Sequence, residues 1–195
     1  MVRLEIRGPR RFEEPPATPG EPNLVAALDH LAPRFREAVH AAADTYRRLG
    51  VRAVLVGGVA ASAYGRPRGT KDVDFLVGDE AWDTYGVVIS LKAGIPQEAC
   101  QVPIDNIPVH VKYRELYERA IETAIESDEP GVWIPRPEMV AVTKLAGSRS
   151  QDIAAVVDMM RAGSINLDEL ANLVRPHERL RLAYNRALHE LEQDE

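Results

Sequence analysis

Two short patterns in this chain hold residue types that could do chemistry together: Gly57-Gly58, and downstream Asp72 and Asp74 separated by one valine. Glycines between a buried strand and a helix let the backbone turn sharply and let a ligand come close to it. The first turn of the helix that follows offers unpaired N–H groups and the positive end of its dipole to an anion. A triphosphate fits that description. Asp72 and Asp74 stand at i and i+2 of an expected strand, so their side chains share one face, with Cα atoms about 6–7 Å apart. Two carboxylates on one face can share a hard cation, and Mg²⁺ prefers such oxygens while keeping positions open for phosphate and water. Without a cation the two repel. Arg68 and Lys71 are near enough in sequence to offset that repulsion, so the residues alone do not force a metal.

These residues need elements to position them. Val51 to Val56 reads as a buried strand, Val59 to Tyr64 as a short helix, and Gly65 to Thr70 as a loop. A second strand is expected over Lys71 to Val77, with Val73, Phe75 and Val77 facing the core opposite the two acids. Upstream, Leu24, Ala27, Leu28 and Leu31 recur at helical spacing. Pro33 interrupts the pattern, Phe35 to Tyr46 resume it, and Gly50 stops it. Downstream, Glu80 to Lys92 reads as helical. A third strand is expected around Ile107 to Lys112, where Val109 and Val111 alternate with His110 and Lys112. Arg114 to Glu126 presents one apolar helical face, and Val132 to Ile134 a short strand. Met139 to Gly147, Gln151 to Met160, Leu167 to Val174 and Leu180 to Leu191 all carry helical periodicity. Strands interleave with helices early and helices accumulate late. That order predicts an α+β (mixed α/β) fold: a small mixed β-sheet flanked by helices, with a C-terminal helical subdomain. The expected organisation is a flexible arm over residues 1–22, too rich in proline and polar groups to pack, a core over 23–135, and the helical subdomain over 136–195.

The chain has 195 residues, 45% hydrophobic and 28% charged, the composition of a soluble globular protein. No apolar run approaches the roughly 18 residues of a spanning helix, and the N-terminus has no signal-peptide pattern. A single cysteine, Cys100, excludes a disulfide scaffold and a cysteine-rich zinc site, and is expected to be inert. These features point to a reducing cytoplasm. A net charge of -6 disfavours broad electrostatic binding of nucleic acid but leaves room for a local basic pocket. His177 and His189, on charged helices, are expected to be solvated. Ser62, in an alanine-rich helix, is assigned no chemistry. The stripe Leu180, Ala183, Ala187, Leu188, Leu191 reads as core packing, with burial against a second copy in a homodimer as the other option.

The ordered set Gly-Gly, short helix, then Arg-x-Thr-x-Asp-x-Asp over Arg68 to Asp74 resembles the nucleotidyltransferase superfamily, the fold of DNA polymerase β-like enzymes. It is most similar to the small prokaryotic branch that includes AbiEii-type toxins and related uncharacterised nucleotidyltransferases. The stretch Lys144-Leu145 followed by Arg149-x-x-Asp152 resembles that family's later helix. The resemblance implies that Gly57, Gly58, Arg68, Thr70 and Lys144 contact the nucleotide, with Arg149 and Asp152 in support, and that Asp72 and Asp74 hold Mg²⁺ or Mn²⁺. It also implies a third carboxylate on the next strand, which completes the metal site and helps deprotonate the attacking hydroxyl. The slot aligned with it holds His110. His110 could ligate or act as a base, and Asp105, just before, could fill the role if the alignment slips.

The expected activity is metal-dependent transfer of an NMP from an NTP to a hydroxyl of a protein, an RNA or a small molecule, with Asp72, Asp74, His110 and Lys144 as catalytic residues. A toxin–antitoxin setting with a cognate partner protein accompanies the resemblance. The replacement of the third acid by histidine motivates the alternative: a catalytically degenerate, antitoxin-like binding or regulatory module. An aminoglycoside-modifying adenylyltransferase, which shares the core motif, ranks lower.

Overall fold

The computed structural model describes residues 20–81 and 102–193 of the chain. Cys100 and most of the helix expected over Glu80 to Lys92 lie outside the described residues, as does most of the N-terminal arm. Helix α1 (Leu24–Asp29) starts where Asn23 accepts the Ala26 N–H, a side-chain cap that satisfies one orphan donor. Helix α2 (Pro33–Leu49) begins at a proline and ends on Gly50 in the left-handed conformation, φ 67°. Strand β1 (Ala53–Val56) runs straight into α3 (Gly57–Tyr64), and the loop after α3 leads to β2 (Val73–Val77) and then β3 (Ile104–Pro108). Helix α4 (Arg114–Glu122), the two-residue strands β4 (Ile125–Glu126) and β5 (Trp133–Ile134), and four helices complete the chain: α5 (Pro137–Gly147), α6 (Ser150–Arg161), α7 (Leu167–Val174) and α8 (Glu178–Gln193). The architecture is mixed α+β with a small mixed sheet, as the sequence predicts. No helix of the described residues is long and apolar enough to cross a membrane.

The main sheet has the order β1-β2-β3. β1 pairs antiparallel with β2, and β2 pairs parallel with β3. Register places Val56, Asp74 and Asp105 abreast on one face, and Leu55, Phe75 and Asn106 abreast on the other. The Phe75 face packs against α2, where Tyr46 meets Phe75 at 5.1 Å between ring centroids and its hydroxyl donates to Asn106 Oδ1. Burial pushes the Tyr46 phenol well above its ordinary pKa, which keeps it a donor. The acidic face meets α3 and the C-terminal helices. Tyr64, at the end of α3, donates to the Pro135 carbonyl at 2.8 Å, and Ser164 donates to the Tyr64 carbonyl. These contacts clamp α3 between the sheet and the later helices. The Leu180, Ala183 and Ala187 stripe of α8 is buried within this core, and Leu188 and Leu191 pack against it.

Some boundaries differ from the sequence-based expectation. The third strand is displaced towards the N-terminus and ends at Pro108, which pairs with Val77, the last residue of β2; the Val109 N–H still donates to the Val77 carbonyl at 3.2 Å. The strand expected over Ile107 to Lys112 is therefore Ile104–Pro108, and His110 falls in the turn after it. The helix expected to run to Glu126 ends at Glu122, where Ile125 and Glu126 leave it to pair with Ile134 and Trp133. His177, expected to be solvated, meets the Tyr113 ring edge-on at 5.2 Å between centroids.

Candidate nucleotide and metal site

Gly57 fixes the centre of the site. It opens α3 with φ 71°, in the left-handed region that glycine enters without strain. A Cβ placed there would lie 1.8 Å from Asp74 Oδ2. The Asp74 carboxylate thus tucks directly against the start of α3, and the Gly58 N–H donates to it. The sequence predicts N–H groups open to an outside anion. In the structure one of them already serves Asp74. Thr70 touches the same turn, since a Cβ on Gly58 would come within 2.9 Å of its hydroxyl. The Thr70 hydroxyl reaches Asp72, with both the carbonyl and Oδ1 at 3.2 Å. Gly57, Gly58 and Thr70 therefore position the two acids.

Asp72, Asp74 and Asp105 each bring a carboxylate oxygen into one group, all within 4.8 Å of one another. Asp72 and Asp74 come from the entry to β2. Asp105 comes from β3, directly across the parallel pair from Asp74. Burial raises the Asp74 carboxyl to about 6, and the neighbouring Asp72 adds to the effect, while Lys144 and the Gly58 N–H oppose it. Three hard oxygens at this spacing suit a divalent cation such as Mg²⁺. His110 lies apart from this group: its Nδ1 is 2.8 Å from Asp79 Oδ1, and Arg114 pairs with the same carboxylate. Asp105, not His110, stands at the position opposite Asp74. The sequence signal for this is the proline pair Pro103 and Pro108: the five-residue strand starts just after the first and ends on the second, with Asp105 between them. Reading it also requires knowing that β2 and β3 run parallel.

The acids open onto a polar cleft of about 470 Å³. Arg66, Arg68, Lys71, Lys144 and Arg149 all line it, together with Gly58 and Thr70. Lys144, on α5, is mostly buried and donates to Asp152 Oδ1 at 3.2 Å. Arg149 donates to the other oxygen of Asp152 at 2.8 Å. Asp152 is only 1% exposed; burial alone would raise its pKa, but Arg149 and Lys144 outweigh that and hold it below the ordinary carboxylate range. The Asp152 knot thus fixes both cations beside the acids. Arg68 donates from Nε to Asp158 on α6, which ties the loop before Asp72 to the later helices. A larger cavity, of about 570 Å³, lies on the Phe75 side of the sheet. It is walled by Tyr46, Phe75, Ile121 and Trp133, and none of the clustered acids lines it. The chemistry therefore belongs to the smaller, charged cleft.

A small mixed sheet that carries clustered acids beside a glycine-opened helix defines a nucleotidyltransferase-like protein. The chain belongs to the family described as "Nucleotidyltransferase of unknown function (DUF6036)", whose pattern matches residues 31–192. Among solved structures, the crystal structure of an antigenic nucleotidyltransferase-like protein from Paracoccidioides brasiliensis is similar at 18% identity and a TM-score of 0.46, covering 79% of this chain and 93% of that one. No curated protein matches the chain.

Proposed function

We propose that the protein is a metal-dependent nucleotidyltransferase that moves an NMP from an NTP to a hydroxyl of a protein, an RNA or a small molecule. The observation that carries this reading is the group of three carboxylates, within 4.8 Å of one another, at the edge of a cleft lined by five cationic side chains. Asp72, Asp74 and Asp105 would hold Mg²⁺ or Mn²⁺. The bound ion would neutralise phosphate charge and stabilise the in-line displacement. Lys144 and Arg149, held by Asp152, orient the phosphates. Arg66, Arg68 and Lys71 receive the outer ones. The acceptor oxygen forms a bond to the α-phosphorus as the bond to pyrophosphate breaks, and pyrophosphate leaves. The hydroxyl proton passes to Asp105, which is the solvent-exposed member of the group. Asp105 takes the part that the sequence alignment gave to His110.

The alternative, a degenerate binding module, drew its motive from a missing third acid, and the position of Asp105 weighs against it. The AbiEii-type placement and a toxin–antitoxin setting rest on the family resemblance of the ordered set from Gly57-Gly58 to Asp74. The test is transfer of label from α-³²P NTPs by the double variant Asp72→Asn/Asp74→Asn. Loss of transfer with an unchanged circular dichroism spectrum is expected, and undiminished transfer refutes the assignment.

A further inference from the structure

Resting on that reading, we propose that a second cleft, which shares Asp74 with the first, receives the nucleoside half of the nucleotide. Asp74, Lys144 and Arg149 line two clefts at once. The first is the cation-rich cleft already described. The second, of about 250 Å³, runs over Ile107 and between Tyr117 of α4 and Ala146 of α5, with Val111 on its rim. Lys112, Thr143 and Asp152 also line it, and its apolar surface is gathered at Val56, Ile107, Val111, Tyr117 and Ala146. Val111 is 57% exposed, one of few large apolar side chains left so open among the described residues. The first cleft also takes in Arg66, Arg68 and Lys71, none of which lines the second.

An NTP has two halves of unlike chemistry. The triphosphate is a polyanion that needs cations and N–H donors. The nucleoside is flat and largely uncharged, and gains by leaving water for an apolar wall. The halves join at the α-phosphate, where the reaction occurs, so that phosphate must sit beside the clustered acids. From Asp74 the two halves then diverge into clefts that match them: the polyanion among the cations, the nucleoside over Ile107 and Val111. Asp105 lines only the first cleft. Its exposed flank stays open to the acceptor, so the three reactants need not compete for one space.

The test uses calorimetric titration of the full chain with Mg²⁺ and three probes: the α,β-methylene analogues of ATP and GTP, and inorganic tripolyphosphate. The wild-type protein should bind at least one analogue about tenfold more tightly than tripolyphosphate, the gain corresponding to a buried nucleoside. Val111→Asn changes no charge and, at an exposed position, should leave the fold intact. It should weaken the analogue about threefold, the effect of losing one partly buried apolar contact, and leave tripolyphosphate unaffected. Lys144→Gln, in the part both halves share, should weaken all three probes together. An equal response of analogue and tripolyphosphate to Val111→Asn, or equal wild-type affinity for both, overturns the nucleoside cleft while the nucleotide reading stands. A wild-type chain that binds none of the probes overturns the nucleotide reading beneath it.

Discussion

Two aspartates, the half-buried Asp74 on β2 and the buried Asp152 on α6, have opposite circumstances. Asp152 sits between Lys144 and Arg149, which hold its carboxyl below the ordinary range against the effect of burial. Asp74 has Asp72 and Asp105 as neighbours, and burial with Asp72 carries it up to about 6. Both receive backbone N–H donors from the start of a helix, Asp152 from Arg149 and Asp74 from Gly58. What separates them is the sign of the charges around them. One carboxylate is satisfied by the chain itself. The other sits in a negative group whose repulsion an added cation would relieve. Both use the same local device, and of the two Asp152 is the one held by cations at hydrogen-bond distance. That contrast is the physical basis for reading the acids as a metal seat and the Asp152 knot as its support.

The contrast can be tested by substitution. The largest effect is expected at Gly57→Ala, which places a Cβ against the Asp74 carboxylate and an alanine at positive φ. The predicted loss is about 3 kcal/mol of stability together with Mg²⁺ affinity, since the acid must move away. Urea denaturation with and without Mg²⁺ measures both; wild-type stability in this variant would disprove the close contact. Asp152→Ala comes next, with a loss of about 3 kcal/mol, because it strands the mostly buried Lys144 ammonium.

Asp74→Asn should act in the opposite direction. The folded Asp74 keeps its proton up to about pH 6, whereas its unreacted reference value is 3.8. Its contribution to stability is therefore full below that reference value and is lost as pH rises through 6. The metal-free variant should be more stable than wild type by about 2 kcal/mol at pH 7, with the advantage vanishing near pH 4. Thermal melts in EDTA across this range give the result, and a variant less stable at pH 7 contradicts the assigned repulsion. Mg²⁺ should then raise the melting temperature of the wild type but not of this variant. The smallest effect is expected at His110→Ala. On the surface beside Asp79, it should shift the melting temperature by less than about 2 °C and leave NMP transfer near the wild-type rate, whereas Asp105→Ala should cripple it. The reverse ranking would restore His110 to the catalytic group.

The acids Asp72 and Asp74, the glycines before α3 and the late cations were legible because each is a short-range pattern. Alternation along β2 determines which side chains share a face, and the Lys144 to Asp152 spacing spans one helix end and the next helix start. Asp105 was harder. Its role depends on register between parallel strands, which no local pattern specifies. Val109 and Val111 look like a strand, and their alternation drew the expected strand past Pro108. The prolines marked the true limits, but apolar alternation is the stronger visible signal. The departure of the chain from helix at Thr123 was similarly hidden, because Ala124 lies on the apolar face of the preceding turns while β4 forms only by pairing with a segment that follows it.

Ser148 is a non-glycine residue held at φ 58°, between α5 and α6, with its hydroxyl donating to the Leu145 carbonyl at 2.7 Å. Lys144 precedes this corner and Arg149 follows it. Their separation is therefore governed by the angle of a bend instead of the pitch of one helix. Evolution could widen or narrow the grip of that pair by reshaping the elbow, with every charged residue unchanged.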